Sequence, residues 1–160
     1  MKFIGGDHRV KRLAVTLLLA VLAAGCRPTP EAGPLPGAPA PRLAVENFLA
    51  AVRAQDLQAM SAIWGTREGP ITENKSLTRD AVERRELIMM CFLGHDRYRL
   101  GGETPGEGGR RVFAVELTRG TISRSSNFFT VQGPSSRWYV ESVDITPLQD
   151  LCRNPPSGTR

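Results

Sequence analysis

The stretch VENFLAAVRAQDLQAMSAIWG, residues Val45–Gly65, decides the fold. In its first half, apolar side chains recur at intervals of three and four residues, which is the stripe of an amphipathic helix and predicts one over 43–53. Asp56 is a suitable N-cap for a second helix, and Gly65 is a suitable residue to end it. The sequence therefore predicts two helices that meet at a tight corner.

A third helix is predicted over 79–93, with Thr78 or Asp80 at its start and Gly94 as its stop. Its second half reads LIMMCFL, which is apolar around the whole circumference of a helix. A helix end of this composition is typical of a core. We therefore expect it to be buried, together with Cys91.

From Asp96 onward, polar and apolar side chains alternate, which is typical of strands. Glycine-rich and serine-rich turns separate four such segments, over 96–101, 111–118, 124–132 and 137–145. Adjacent antiparallel pairing is the simplest topology because sequential strands with short connections usually lie side by side. The predicted fold class is α+β, with three N-terminal helices packed on a curved antiparallel sheet of four or more strands.

This order of elements resembles the cone-shaped α+β superfamily named after nuclear transport factor two, which includes ketosteroid isomerase and polyketide-cyclase-like proteins. The resemblance covers about residues 42–152 and depends on the helical corner that ends in Trp64 and on the closing strand with WYV at 138–140. It implies a bent sheet around the helices and a conical cavity, which some members use for catalysis and many for ligand binding or assembly. A fold alone does not confer an activity.

The N-terminus carries the pattern of an export signal. A cationic start precedes the apolar run LAVTLLLAVLAAGC at residues 13–26. The run contains twelve apolar or small residues, whereas a helix that spans a bilayer needs about twenty. Its close at Leu22–Cys26 resembles a bacterial lipobox, in which the cysteine is acylated and becomes the first mature residue. Ala23 stands where that family prefers leucine. We expect a lipoprotein signal over 1–25 and lipid on Cys26; plain secretion is the first alternative, and a core helix the last.

The segment after Cys26 is predicted to be a tether. It reads RPTPEAGPLPGAPAP, with six prolines in fifteen residues, a composition that stays extended and forms neither a helix nor a packed strand. The predicted organisation is therefore a tether over 26–41, a folded domain over 42–153 and a flexible tail over 154–160. A bacterial envelope location follows, with the domain held by lipid and facing the periplasm or the exterior.

Cysteine usage agrees with export. With Cys26 assigned to lipid, Cys91 and Cys152 remain, and an exported chain passes through an oxidising compartment. We therefore predict a disulfide between them, and the alternative is two separate buried thiols.

The charge of the chain argues against a nucleic-acid partner. The chain has 21 Lys and Arg and 16 Asp and Glu, but four of the basic and one of the acidic residues lie in 1–25. The mature chain is left with 17 and 15, a net charge of +2. Its arginine pairs are interspersed with acidic residues, whereas nucleic-acid binders carry a dense basic face.

The sequence offers little catalytic equipment. His95 is the one histidine outside the predicted signal, and with Asp96 and Tyr98 it forms the nearest polar cluster, at a helix-to-strand junction. Capping and surface hydrogen bonds explain such a cluster, although general acid or base work by His95 or Asp96 is chemically conceivable in a cavity. We expect no metal and no cofactor, because no metal-ligand or phosphate-loop spacing occurs.

These patterns predict a membrane-anchored extracytoplasmic domain that binds a small apolar ligand or another envelope protein without catalysis. The alternative is an isomerase, dehydratase or cyclase-like enzyme acting on a small apolar substrate in the cone cavity. A cavity with convergent ionisable groups favours the enzyme, whereas a filled interior favours assembly. Exposed aromatic side chains on the outer face of the sheet would favour a homodimer through that face.

Overall fold

The computed structural model describes residues 35–153. The predicted signal over 1–25, the predicted lipid site at Cys26, most of the predicted tether and the predicted tail over 154–160 lie outside the described residues. The folded unit begins at Pro36, and Ala38 is fully buried and forms a backbone bridge with Trp138. The domain therefore starts before the predicted boundary at 41/42, because Pro36–Ala40 adds backbone hydrogen bonds and buried surface to it.

Within the described residues the main sheet is preceded by the helices α1 (Pro41–Ala54), α2 (Leu57–Ile63) and α3 (Arg79–Leu93). The N-caps of the last two are side-chain caps, as the sequence predicts. Asp56 accepts a hydrogen bond from the Ala59 amide at 3.0 Å, and Thr78 accepts one from the Ala81 amide at 3.2 Å. Helix α2 ends at Ile63, two residues before the predicted stop at Gly65.

Gly65 instead opens a short antiparallel ribbon, β1 (Gly65–Thr66) with β2 (Gly69–Pro70). A Cβ at Gly65 would lie 2.4 Å from the Gly69 carbonyl oxygen and 2.8 Å from the ring of Tyr139. The close approach of the two strands, rather than helix termination, is therefore what requires glycine at this position.

The main sheet is an antiparallel meander, which makes the fold α+β as predicted. In both chain order and spatial order its strands are β3 (Arg97–Pro105), β4 (Arg111–Arg119), β5 (Ile122–Gln132) and β6 (Trp138–Val143). The predicted end of the first strand at residue 101 is wrong. After a register shift between Leu100 and Glu103, pairing with β4 resumes as far as Pro105, so long-range pairing holds part of the glycine-rich segment in the sheet.

The core lies between one face of the sheet and the helices. Phenylalanine and aliphatic side chains fill it, chiefly Phe113, Val115, Leu117 and Phe128 from the sheet and Val45, Phe48, Leu49, Met60 and Leu93 from the helices. A short helix, α4 (Gln149–Arg153), follows β6 and returns the chain to α3. Cys91 on α3 and Cys152 on α4 are joined by a disulfide, with their Cα atoms 4.8 Å apart.

The expectation that the whole end of α3 is buried is wrong. Leu87 and Ile88 are 49% and 54% exposed, and Cys91 is half-buried. Helices α2 and α4 pack against α3 and cover only part of its circumference, and the side that contains Val82, Glu86 and Leu93 is the buried one. An apolar helix end becomes fully buried only if other helices or strands pack against every side of it, and its own composition does not provide those neighbours.

Candidate functional site

A cleft of about 700 Å³ lies between α2, α3 and the segment that joins them. The joining segment curves away from the helices through a 3₁₀ turn at Ile71–Glu73 and through Asn74, whose side chain accepts a hydrogen bond from the Ser76 amide at 3.0 Å. Pro36 lines the cleft as well, and the adjacent Gly37 amide donates to the Ala62 carbonyl of α2 at 2.7 Å. The cleft therefore lies where the segment between α2 and α3, shaped by these local turns, does not pack directly against the two helices.

The walls of the cleft mix apolar and polar side chains, and the polar ones come chiefly from α2 and α3. The apolar side chains are Pro36, Leu57, Ala62, Pro70, Leu77 and Val82, and the uncharged polar ones are Gln58, Ser61 and Thr72. The charged ones are Glu73, Arg79, Glu83 and Glu86. Sites for small molecules commonly combine apolar walls with a few polar groups that orient the ligand.

Glu86 is the unusual member of this set because its side chain is buried. It is only 2% exposed, and its Oε1 accepts a hydrogen bond of 2.5 Å from the Ser61 hydroxyl of α2. Its second carboxyl oxygen, Oε2, accepts no hydrogen bond from a described residue but is not fully buried, so it is accessible from the cleft. A carboxyl group in this position is costly to ionise unless water, a ligand or a cation completes its contacts.

The electrostatic surroundings of Glu86 follow from this burial. Burial raises the pKa of the Glu86 carboxyl, the Ser61 hydrogen bond opposes the rise, and the neighbouring Glu83 carboxylate adds to it. Glu86 can therefore retain a proton at a pH where an exposed carboxyl has lost it. Such a group can donate a hydrogen bond when protonated and accept one, or bind a cation, when ionised.

His95, the first of the residues singled out by sequence, lies away from this cleft. It is 7% exposed, and its Nδ1 lies 2.8 Å from the Leu93 carbonyl oxygen, to which the protonated nitrogen donates. Its Nε2 is buried and has no partner within residues 35–153. Burial lowers the pKa of His95, the Leu93 hydrogen bond partly opposes this, and nearby Arg53 lowers it further, so the folded state favours the neutral ring.

Asp96 and Tyr98 lie close to His95, but their contacts stabilise the fold. The Asp96 carboxylate accepts a hydrogen bond of 2.7 Å from the Gly120 amide, which fixes the turn between β4 and β5. Tyr98 is 37% exposed and its ring packs edge-on against His95, with 5.6 Å between centroids. His95 and Asp96 line a small cavity of about 120 Å³ that shares no lining residue with the cleft.

The interior of the domain is a core rather than a site. Phe113 and Phe128 of the sheet and Phe48 of α1 are fully buried, and none of them lines the cleft or the small cavity. Neither cavity is therefore lined by these core side chains. The cleft lies at the α2–α3 connection.

Sequence reasoning missed Glu86 and Ser61, although the pattern contained a signal for Glu86. Val82, Glu86, Met89 and Leu93 follow one another at intervals of four, three and four residues, which is one stripe of α3. A glutamate on an otherwise apolar stripe indicates a buried carboxyl group. No comparable signal exists for Ser61, because its role depends on where α3 lies.

No helix within 35–153 has the length and apolar character needed to cross a bilayer. Over the same described range, no three His, Cys, Asp or Glu side chains come close enough together to hold a metal ion. Comparisons of the chain with protein-family models, curated proteins and solved structures find no match.

Proposed function

We propose that this chain is a lipid-anchored protein of the bacterial envelope whose domain binds a small molecule in the cleft between α2 and α3 without catalysis. The observation that carries the proposal is the carboxyl group of Glu86, buried beside a cleft whose walls are partly apolar. A volume of about 700 Å³ lies in the range of small-molecule sites, roughly 300–1,000 Å³.

The anchoring part of the proposal has its support in the sequence. A short apolar leader ends in a lipobox-like pattern at Cys26, and a proline-rich segment follows it. The Cys91–Cys152 pairing suits an oxidising extracytoplasmic compartment. Cys26→Ser is expected to move the protein from the membrane to the soluble fraction, and continued membrane retention would count against lipid attachment.

We also infer that the helices and the meander form the cone arrangement of the nuclear transport factor two superfamily. Support comes from the order of elements and from the antiparallel sheet. In this chain phenylalanine side chains fill the space beneath the sheet, so the ligand site lies on the helical side, where the α2–α3 connection leaves room.

The binding function is tested by filling the cleft. Ala62 lines the cleft, whereas Ala50 is exposed on α1 and does not, so Ala62→Trp and Ala50→Trp form a matched pair. The acylated proteins are purified from their native envelope, and co-purifying small molecules are compared by mass spectrometry. A molecule retained by the wild type and Ala50→Trp but lost from Ala62→Trp supports the proposal. Equal retention by all three proteins places binding elsewhere and overturns it.

A second candidate is acid–base catalysis, favoured by the raised pKa of the buried Glu86 carboxyl. An isomerase-like enzyme would exchange a carbon-bound proton of its substrate with solvent. The co-purified molecule is therefore incubated with the protein in D₂O. Mass gain with wild type but not with Glu86→Gln would favour the enzyme, and the absence of exchange favours simple binding.

A homodimer through the outer face of the sheet has weaker support. That face carries the Arg99–Glu116 ion pair. Of the large apolar side chains that are most exposed within the described residues, only Tyr98 lies in the sheet, and it pairs with Leu117 and so lies on the core face. Light scattering after chromatography measures the mass of the protein. A dimer that Ala114→Arg dissociates would support the interface, because Ala114 is exposed on the same face as Glu116, and a monomer would remove it.

A further inference from the structure

We propose that the ligand of the cleft is an organic amine, an apolar body with a protonated amino group that contacts Glu86. The inference rests on the proposed ligand-binding function and deepens it by naming the chemical class of the ligand. Three observations lead to it, namely the sign of the charge in the cleft, the incomplete contacts of Glu86 and the spread of the acidic groups.

The charge of the cleft is opposite to that of the mature chain. Three carboxyl groups and one guanidinium line it, from Glu73, Glu83, Glu86 and Arg79. The mature chain has a net charge of +2, so the acidic surplus is local to the cleft. A concave surface with charge of one sign attracts ligands of the other sign.

Glu86 supplies a second and independent indication. Glu86 is only 2% exposed, and Ser61 donates to one of its two carboxyl oxygens, Oε1. No residue within the described part of the chain donates to Oε2, which is not fully buried and is accessible from the cleft. An ammonium group offers three donors and a positive charge, so it would complete the contacts of an ionised Glu86 and offset its desolvation.

The arrangement of the acidic groups favours an organic cation over a metal ion as the ligand. In residues 35–153 no three His, Cys, Asp or Glu side chains converge closely enough to hold a metal, so Glu73, Glu83 and Glu86 do not form a metal site. An extended organic cation can instead contact acidic groups at separate points. The side chains of Leu57, Leu77 and Val82 provide apolar surface for the rest of the molecule.

The test compares three probes of one shape, namely cyclohexylamine, cyclohexanol and cyclohexanecarboxylate. Each is titrated into the mature Cys26→Ser protein, with backbone amide NMR signals as the readout. Cyclohexylamine is expected to shift the signals of Ser61, Ala62 and Glu86 and to bind at least about ten-fold more tightly than cyclohexanol. Glu86→Gln is expected to lower the affinity for the amine by about ten-fold, or about 1.4 kcal/mol. Glu116→Gln, whose carboxylate pairs with Arg99 outside the cleft, serves as the matched control and leaves the affinity unchanged.

The outcomes separate the ligand class from the binding function. Equal or tighter binding of cyclohexanol or the carboxylate in the cleft overturns the amine proposal and still supports the cleft as a ligand site. Failure of the amine to shift any cleft signal also overturns the amine proposal, and the Ala62→Trp comparison then judges the binding function separately. If Glu86→Gln does not fold, Glu83→Gln replaces it, because Glu83 is exposed in the same cleft. About three-fold weaker amine binding is then expected, and unchanged affinity counts against the proposal.

Discussion

The hydroxyl of Ser61 donates a hydrogen bond of 2.5 Å to the buried carboxyl of Glu86. This contact joins α2 to α3 at a cleft whose walls mix apolar and polar side chains. A buried, hydrogen-bonded carboxyl group favours one arrangement of two helices, and it also places an ionisable group where a ligand can bind. Its effects on stability and on pH dependence can be measured without knowledge of the ligand.

Glu86→Gln is predicted to stabilise the free protein at neutral pH relative to wild type. Because burial raises the pKa of Glu86 in the folded state, the folded protein binds more protons than the unfolded chain above the ordinary carboxyl value of 4.5. The wild-type free energy of unfolding therefore falls as pH rises from 4.5 through the folded pKa, whereas that of the glutamine variant does not fall for this reason. Urea unfolding of both proteins at a series of pH values measures the two free energies. Parallel pH curves for the two proteins would contradict the assignment.

His95→Asn is predicted to reduce the loss of stability in acid. The pKa of His95 is lowered in the folded state, chiefly by burial, and of the charged groups nearby Arg53 and Arg119 lower it whereas Asp96 raises it. The wild type therefore loses stability as pH falls from the ordinary value of 6.5 through the folded pKa, because the unfolded chain binds the proton first. The asparagine amide can still donate to the Leu93 carbonyl. The difference in unfolding free energy between the variant and wild type, measured as a function of pH, gives the contribution of His95, because Glu86 is present in both proteins. If the variant loses as much stability in acid as wild type does, the prediction is wrong.

Removal of the disulfide by Cys91→Ala and Cys152→Ala is predicted to lower the free energy of unfolding by roughly 4 kcal/mol. The bond joins residues separated by 61 positions, and a cross-link of that span restricts the unfolded chain strongly. Urea unfolding of the oxidised and the double-alanine proteins gives the difference. Wild type with added reductant should match the double variant. Two alkylatable thiols in the unreduced protein, apart from Cys26, would show that the bond does not form.

Gly65→Ala is predicted to destabilise the domain by about 2 kcal/mol, as overpacked substitutions commonly do. The added Cβ would lie 2.4 Å from the Gly69 carbonyl oxygen, so β1 and β2 must separate. Gly102→Ala is the matched control, since a Cβ there meets nothing within 4 Å. Thermal unfolding of both variants gives the comparison, and equal melting temperatures would show that the ribbon yields without strain.

Local signals in the sequence predicted the elements whose formation is itself local. Asp56 and Thr78 cap their helices because a cap needs only the next three residues. The extension of β3 to Pro105 was not predictable in this way, because it depends on pairing with Arg111 in another strand. Long-range packing likewise decides which side of an apolar helix is covered, so the exposure of Leu87 and Ile88 had no sequence signal.

The candidate site was harder to predict than the fold for the same reason. His95 and Asp96 were singled out as a polar cluster at a junction, but their hydrogen bonds go to the backbone at Leu93 and Gly120. Glu86 ends the charged segment ERRE at residues 83–86 and resembles a solvated charge until its place on the stripe with Val82 and Leu93 is considered. Its contact with Ser61 requires the mutual packing of two helices, which no local pattern specifies.

The most direct test of the account is a crystal structure of the acylated protein isolated from its native envelope. The account predicts electron density for a small organic molecule between α2 and α3, with a polar group within hydrogen-bond distance of Glu86 Oε2. A cleft that contains only solvent, with the retained molecule bound elsewhere on the domain, would contradict it.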